Sequence, residues 1–376
     1  MKKTGLILMV LIFLAGCTRP NPFTEDPNAT DPAAAVTEDA VTEETETEQT
    51  EAPPDDTEAT EDTEDVSADP STVDLSYQPS EGGRIMVLMY HNIGEEEEAW
   101  VRTPDNFRKD LQVLYDDGYR PIRLTDYARG HIDVPAGMTP YVITFDDARE
   151  NNFRYLADGT LDPDSAVGIL MEFAELHDDF TPHATFFSNS PIPFKVEGEE
   201  AEKVQFLLDN GMDIGNHTWG HEDFTWLSGD ELQESIGRQA QYLDDLTPDD
   251  YEINTLALPF GSRPEDDSLT DYLREGSYDG FSYNNIAILN VGWDPALSPF
   301  HKNYDPEYIP RIRASEMEVD NVGIYDWLSY FENNPEERYI SDGNAKIISA
   351  PADWEDVLVA PEGMILNLYE TEDQAE

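Results

Sequence analysis

Short apolar runs after residue 80 predict a set of buried strands. They are Arg84–Tyr90, Tyr141–Phe145, His183–Ser188, Met212–Gly215, Thr255–Leu258 and Ile286–Leu289. Continuous apolar runs of this length, without alternation of polar residues, are typical of strands that are covered on both faces. We therefore expect a sheet whose two sides are both packed.

Helical patterns separate these runs. Thr103 precedes Pro104 and an apolar stripe, as an N-cap precedes a helix. Ser228 and Glu231 have the spacing of a capping box before another stripe. Strands that alternate with helices predict an α/β fold with a parallel sheet. The periodicity leaves open whether that sheet is open or closed into a barrel.

The first 17 residues, MKKTGLILMVLIFLAGC, predict a signal peptide. Lys2 and Lys3 form a basic start, and the apolar region Leu6–Ala15 is short for a membrane span. The ending Leu-Ala-Gly-Cys17 resembles the lipobox of bacterial lipoproteins, in which the cysteine is lipidated after cleavage. We therefore expect the protein at the outer face of the bacterial cell membrane, held by a lipid anchor only. The alternative is an ordinary secretory signal with an incidental cysteine.

Residues 18–80 predict a disordered acidic linker. The segment is rich in Thr, Glu, Asp, Pro and Ala and has few large apolar residues, so it cannot form a core. Repulsion between its carboxylates should extend it into a stalk. A calcium-binding acidic tract is the alternative interpretation.

Charge and cysteine content exclude several classes. The chain of 376 residues has 81 acidic and 22 basic side chains and a net charge of −59, so we expect no nucleic-acid partner. A single cysteine excludes a disulfide framework and any cysteine-rich zinc site. The remaining length suits one large domain, which we place at 81–334, followed by a C-terminal extension of unknown role at 335–376.

Two polar motifs follow predicted strands. Asp146 and Asp147 come directly after Tyr141–Phe145, where a simple strand-ending turn is the alternative. His217 and His221 follow another strand and are four residues apart. Two imidazoles and one carboxylate form a three-ligand site that leaves positions for water and substrate, which is typical of a catalytic metal. A neighbouring carboxylate can accept a proton from water at such a site.

These motifs resemble those of the polysaccharide deacetylase family, also called the NodB homology domain or carbohydrate esterase family 4. Thr-Phe-Asp146-Asp147-Ala148 is similar to its first motif, which usually ends in Gly, and His217-Thr-Trp-Gly-His221 matches its His-Ser/Thr-x-x-His motif. Met-Tyr-His91 at the end of the first strand resembles extracellular members. The two motifs occur in the family's order.

The resemblance implies a distorted (β/α) barrel and a divalent metal, commonly zinc. It makes Asp147, His217 and His221 the metal ligands and Asp146 the general base that activates water held by the metal. The reaction it implies is removal of acetyl groups from an N-acetylglucosamine-containing polysaccharide. Peptidoglycan, poly-N-acetylglucosamine and chitin-like polymers are the candidate substrates.

The third family motif is only half present. Pro259, Phe260 and Gly261 should line the substrate groove, and the Phe260 N–H would help to stabilise the oxyanion. Ala257 replaces the arginine that orients the base in typical members, and Arg263 is the nearest basic residue in sequence.

The family's Leu-x-His motif, which carries its general acid, is absent from the sequence. Four further candidates remain, and three of them have a simpler alternative. His91 could be a hydrogen-bonded histidine at a strand end, His301 a surface residue, and Arg311 a surface charge on a half-buried strand; Asp294 is a candidate for the fourth motif.

The sequence thus predicts an active N-deacetylase of cell-envelope or extracellular polysaccharides. The alternatives are a catalytically impaired glycan-binding pseudoenzyme, an esterase that removes O-acetyl groups from xylan-type polymers, and an acidic structural or calcium-storing surface protein.

Overall fold

A computed structural model describes residues 69–189, 191–317, 319 and 321–371. The predicted signal peptide, Cys17 and the predicted linker as far as residue 68 lie outside these ranges. The described end of that linker contains two short 3-10 turns, Pro70–Thr72 and Leu75–Tyr77, and Ser80 pairs with Ile340. No helix within the described ranges has both the length and the apolarity needed to cross a bilayer.

A parallel sheet forms the centre of the fold, and each of the six predicted apolar runs supplies one of its strands. The strand order is β11-β8-β7-β6-β5-β1-β12, and β4 pairs with the start of β5. The strands are β1 (Met86–Tyr90), β4 (Tyr119–Pro121), β5 (Thr139–Phe145), β6 (Thr185–Ser188), β7 (Asp213–Asn216), β8 (Thr255–Ala257), β11 (Ala287–Leu289) and β12 (Ile312–Arg313).

The sheet curls until its two edges meet. Leu289 pairs with Ile309 and Gly292 pairs with Ile312, both in parallel register, so the chain after β11 lies against the segment that leads into β12. The barrel is distorted, because β12 has only two residues and β4 covers only the first residues of β5. The predicted distorted (β/α) barrel is confirmed.

Within the described residues, seven α-helices accompany the strands, and both predicted helix starts are confirmed. The Thr103 hydroxyl accepts a hydrogen bond from the Asn106 N–H, and Ser228 and Glu231 form the expected capping box. The helices are α1 (Pro104–Asp116), α2 (Leu124–Arg129), α3 (Ala166–Leu176), α4 (Glu200–Asp209), α5 (Gly229–Asp244), α6 (Asp271–Arg274) and α7 (Ile324–Asn333). The smaller strands are β2 (Asn92–Ile93), β3 (Val101–Arg102), β9 (Glu275–Tyr278), β10 (Phe281–Asn284), β13 (Ile347–Pro351) and β14 (Ile365–Tyr369).

Alternation along β1 divides the core into two parts. Met86, Leu88 and Tyr90 pack with the apolar faces of α1, α3, α4 and α5, whereas Ile85 and Val87 belong to a second cluster. Successive strand residues point to opposite faces, so one strand serves both layers. The second cluster fills the barrel and its amino end.

The segment predicted as a C-terminal extension completes that second cluster. Ile348 and Ala350 of β13 are fully buried within it. The Ser349 N–H and the Tyr339 hydroxyl both donate to the carboxylate of Glu81, at 2.9 and 3.1 Å. Residues 335–371 therefore close the amino end of the barrel beside the start of the folded chain.

A buried carboxylate joins the helical layer to the sheet. Asp110 of α1 accepts hydrogen bonds from the hydroxyls of Tyr90 and Tyr325, at 3.2 and 2.9 Å, and is ion-paired with Arg102. Its side chain is inaccessible to solvent, whereas Glu97, the second carboxylate on Arg102, is 20% exposed.

Replacement of Asp110 by Ala should lower the free energy of unfolding by about 3–5 kcal/mol, because it leaves the buried Arg102 guanidinium, the buried Tyr90 hydroxyl and the half-buried Tyr325 hydroxyl without this acceptor. Glu97→Ala is the matched control and should cost about 1 kcal/mol or less, because water can replace that carboxylate. Urea unfolding of the two variants measures the difference; equal losses would contradict the assignment of Asp110 as the linking residue.

Candidate functional site

Three predicted ligands meet at the carboxyl ends of β5 and β7. Asp147 follows β5, and His217 and His221 follow β7. One ligand atom from each lies within 4.8 Å of the other two. The Asp147 Oδ1 atom is 3.9 Å from His217 Nε2 and 3.8 Å from His221 Nε2. These distances are too long for hydrogen bonds but suit groups that face a common ion.

The histidines are oriented by a loop rather than by a helix. Thr218 and His221 have φ angles of 69° and 56°, in the left-handed region that non-glycine residues rarely adopt. This turn folds the chain back so that both rings lie on the same side, with their centroids 4.9 Å apart. Strained backbone of this kind is common at functional sites.

The donor set fits a divalent cation. His217 Nδ1 lies 2.8 Å from the Ala257 carbonyl oxygen, so it must carry the proton, and Nε2 keeps its lone pair. That buried Nε2 atom has no hydrogen-bond partner among the described residues. Burial, together with the neighbouring His217, lowers the pKa of His221 to about 4, which keeps its imidazole in the neutral, ligating form. Two imidazoles and one carboxylate match an open zinc-type site.

Two residues that the sequence did not single out hold the carboxylate of Asp147. The Asn189 amide donates to Oδ1 at 2.6 Å, and the Arg149 guanidinium contacts Oδ2 at 3.0 Å. Contacts of this kind fix the orientation of a metal-ligating carboxylate. Arg149 follows the acidic pair by two positions, but nothing in its sequence context distinguishes it from a surface charge.

Arg311 forms a bidentate ion pair with Asp146. Its Nη1 and Nη2 atoms donate to the two carboxylate oxygens at 2.7 and 2.8 Å. The guanidinium is fully buried and also donates to the Asn290 carbonyl and the Thr144 hydroxyl, at 3.0 and 3.2 Å. The interpretation of Arg311 as a surface charge is therefore wrong.

Opposing effects set the ionisation of Asp146. Burial alone would raise the pKa of this carboxyl, but the charge of Arg311 outweighs burial and holds the pKa well below its usual range. Asp146 is therefore ionised at neutral pH. Its Oδ2 atom also lies 3.9 Å from His217 Nε2, on the side of the metal cluster.

The family's arginine is missing at position 257, and Arg311 supplies a guanidinium to Asp146 from another part of the sheet. Ala257 is on β8, whereas Arg311 immediately precedes β12, which pairs with β1. Arg263, the nearest arginine in sequence, is directed elsewhere: it donates to Asn290 Oδ1 at 3.0 Å and lies over the Tyr308 ring.

The remaining candidates fall into two groups. His91 lies at the site, with Nε2 3.9 Å from Asp146 Oδ2 and its ring 4.7 Å from that of Trp100. Its buried Nδ1 has no hydrogen-bond partner in the part of the chain that the structure describes, which contradicts the hydrogen-bonded interpretation.

His301 and Asp294 lie away from the cluster. His301 accepts a hydrogen bond from the Asn303 N–H and pairs with Leu358 of the C-terminal segment. Asp294 lines a pocket of about 370 Å³ together with Arg84, which precedes β1 and so marks the opposite end of the barrel.

Of the predicted groove residues, Phe260 lies directly beside the cluster. Its ring is 4.6 Å from that of His221 and is 51% exposed. Pro259 is buried behind it, and Gly261 has a φ of 66°, where a Cβ would approach the Val291 backbone to 3.0 Å. The tight turn therefore presents an aromatic face to solvent at the edge of the cluster.

Comparison with known proteins finds a family similarity for the region of the site. The family model described as polysaccharide deacetylase matches residues 134–279, which include Asp146, Asp147, His217, His221 and the Pro-Phe-Gly turn. This part of the chain is therefore similar to a polysaccharide deacetylase domain. Arg311 lies outside the matched range.

Solved structures of deacetylases are similar at low sequence identity. The putative polysaccharide deacetylase BA0330 of Bacillus anthracis is 20% identical, with a TM-score of 0.47 over 65% of this chain and 68% of that chain. The deacetylase PplD of Streptococcus pyogenes, solved in complex with acetate, is 18% identical, with a TM-score of 0.48 over 65% of this chain and 97% of that chain. BC0361 of Bacillus cereus, a polysaccharide deacetylase, is 19% identical, with a TM-score of 0.48 over 65% of this chain and 68% of that chain. No curated protein matches the chain.

Loss of the Arg311 guanidinium should destabilise the protein more than loss of the whole ion pair. We expect Arg311→Met to lower the free energy of unfolding by about 3–5 kcal/mol, because Asp146 stays buried without its partner. Arg311→Met combined with Asp146→Asn should recover part of that loss, and urea unfolding of both variants gives the coupling energy.

The difference in unfolding free energy between wild type and Arg311→Met should also depend on pH. The pKa of Asp146 is depressed in the folded state, so the pair stabilises the protein above the unfolded value of about 4 and loses this effect as pH falls below it. The difference in unfolding free energy between wild type and Arg311→Met should therefore become smaller in acid. A difference that does not change with pH, or a double variant no more stable than the single one, would contradict the pairing.

Proposed function

We propose that the protein is a metal-dependent hydrolase that removes N-acetyl groups from N-acetylglucosamine-containing polysaccharides of the cell envelope or extracellular matrix. The observation that carries this proposal is the Asp147, His217 and His221 cluster with the ion-paired Asp146 beside it, within a region similar to a polysaccharide deacetylase domain.

Asp147, His217 and His221 would hold the ion, and zinc suits this donor set. Such an ion polarises the acetyl carbonyl and makes water acidic enough to attack near neutral pH. Asp146 is the base in this proposal, through Oδ2, the oxygen that faces His217 at 3.9 Å. Arg311 positions Asp146 by binding both of its oxygens, in place of the arginine missing at Ala257.

His91 takes the place of the absent acid motif in the proposal. It is a second imidazole within 3.9 Å of Asp146 Oδ2, and burial lowers its pKa although the nearby carboxylates oppose this effect. A proton accepted by Asp146 can therefore be passed across a short distance to a ring that faces the leaving amine. In this role His91 contributes to C–N cleavage without binding the ion.

The substrate would lie across the carboxyl end of the barrel. Phe260 presents its exposed ring beside His221, and Trp100 presents a 36% exposed ring beside His91, so aromatic surfaces flank the cluster on two sides. Aromatic faces pack well against the apolar faces of sugar rings. Lipidation of Cys17 and an extended linker would place this surface near envelope or extracellular polysaccharide. Peptidoglycan, poly-N-acetylglucosamine and chitin-like polymers are the candidate substrates.

One observation favours a second function, that of a glycan-binding pseudoenzyme. The ion pair that positions Asp146 also holds its pKa far below neutrality, and a base works best when its pKa lies near the working pH. A site of this kind can bind a glycan and turn it over slowly or not at all.

Acetate release tests the proposed function. The full chain loaded with zinc should release acetate from N-acetylglucosamine hexamer, and His217→Ala should abolish release because it removes a ligand whose free Nε2 faces the cluster. His301→Ala is the matched control and should keep wild-type activity, because His301 lies away from the cluster. An enzymatic acetate assay and metal analysis of each variant measure both effects.

Different failures have different meanings in this experiment. Binding of the hexamer without acetate release, with metal shown to be present, would favour the pseudoenzyme. Release from acetylxylan but not from the hexamer would show an O-acetyl esterase. Equal activity of the His217→Ala and wild-type proteins would contradict the metal cluster itself.

A further inference from the structure

A second exposed aromatic residue, Trp226, lies on a loop that is hydrogen-bonded to the loop after Phe260. Trp226 ends a short turn after His221 and is 74% exposed. Its loop is fixed to the loop after Phe260, because the Phe224 N–H donates to Ser262 Oγ at 2.9 Å and the Glu265 N–H donates to the Thr225 carbonyl at 3.1 Å. The two rings therefore belong to one rigid side of the site.

The backbone holds the Phe260 ring in place at a conformational cost. Phe260 has a φ of 57°, which is unfavourable for a residue with a side chain, and yet its ring is half exposed rather than buried. Such strain persists where the surroundings impose it, often at binding sites. Large exposed aromatic side chains beside a reactive cluster are typical of a ligand-binding surface.

This side of the site is also acidic. Glu222 and Asp223 precede Trp226, and Glu265, Asp266 and Asp267 follow the Phe260 turn; all five are exposed. The arginine of this stretch, Arg263, is directed away, toward Tyr308. We call the surface formed by Glu222, Trp226, Phe260 and Glu265 the Trp226 flank.

Three basic side chains near the Asp147, His217 and His221 cluster contact residues outside the Trp226 flank. Arg149 binds Asp147, Lys195 donates to Asn189 at 3.0 Å, and Arg313 lies over Trp100 at 4.9 Å. The Trp226 flank thus combines aromatic rings with negative charge in a chain whose net charge is −59. Such a surface attracts cationic ligands and repels anionic polymers.

We propose that the Trp226 flank binds amine-bearing glucosamine units of the same polysaccharide, next to the acetylated unit at the metal cluster. This inference rests on the proposed function, because N-deacetylation is the reaction that creates those amines. Phe260 and Trp226 stack on the sugar rings, and Glu222 and Glu265 attract their ammonium groups. The protein therefore binds chains that are already partly deacetylated in preference to fully acetylated ones.

Oligosaccharide titrations test this preference. Glucosamine hexamer and N-acetylglucosamine hexamer are titrated into the full chain by calorimetry, at a pH that keeps the amines protonated and with a chelator that prevents hydrolysis. We expect glucosamine hexamer to bind about tenfold more tightly at low salt, and this advantage should disappear near ~1 M salt, where charges are screened within about 3 Å.

Matched variants separate stacking from charge. Trp226→Ala should weaken both hexamers by about tenfold, because it removes a stacking face that both sugars use. Trp293→Ala is its control: this tryptophan is 64% exposed but neighbours Asp294, which lines the pocket away from the cluster. Glu222→Gln with Glu265→Gln should remove only the preference for glucosamine, whereas Glu175→Gln with Glu362→Gln, at exposed positions elsewhere, should keep it.

The result that would overturn this inference is equal or tighter binding of the acetylated hexamer at low salt. Tighter binding of an anionic polymer such as polygalacturonate, or an unchanged affinity in Trp226→Ala, would overturn it too. These outcomes are independent of acetate release. A protein that releases acetate without preferring glucosamine refutes the inference alone, and one that prefers glucosamine without releasing acetate refutes the proposed function alone.

Discussion

The buried ion pair between Arg311 and Asp146 is the interaction on which the site depends. Two charges taken out of water are costly unless every polar atom finds a partner. Here the guanidinium meets both oxygens of Asp146, the Asn290 carbonyl and the Thr144 hydroxyl. Asp146, beside the Asp147, His217 and His221 cluster, is thus fixed in one orientation and in one charge state.

The same arginine connects the site to the closure of the barrel. Ile309 and Ile312, on either side of it, pair with Leu289 and Gly292 at the far edge of the sheet. Arg311 can reach Asp146 only when this segment lies between β1 and the chain after β11. Closure of the barrel and orientation of Asp146 are therefore parts of one arrangement.

Local patterns in the sequence were sufficient for six strands of the sheet, for two helix caps and for the grouping of the candidate ligands. Asp147 and the two histidines each follow a strand, and parallel strands bring their carboxyl ends to the same end of a barrel. The grouping of Asp147, His217 and His221 could therefore be predicted before any coordinates. Their roles as ligands remain a proposal.

The rest could not be predicted from local patterns, because it depends on contacts between residues that are far apart in sequence. The strand after Arg311 has two residues, too few for a periodic signal, and only its pairing with β1 shows where the guanidinium points. The segment that contains the buried strand Ile347–Pro351 is predicted from the sequence as an extension, because the Glu81 carboxylate that the Ser349 N–H binds lies 268 residues earlier. His91 looked like a hydrogen-bonded strand end, whereas its ring is placed by Trp100 and faces Asp146.

The central claim is that Asp147, His217 and His221 share one divalent ion, and X-ray absorption at the zinc edge tests it most directly. The full chain should bind one zinc per molecule, with two imidazole ligands and oxygen ligands at about 2.0–2.1 Å. His221→Ala should reduce the imidazole count to one, whereas His301→Ala should leave it at two. An imidazole count that does not change in His221→Ala, or a wild-type protein that takes up no zinc, would contradict the account.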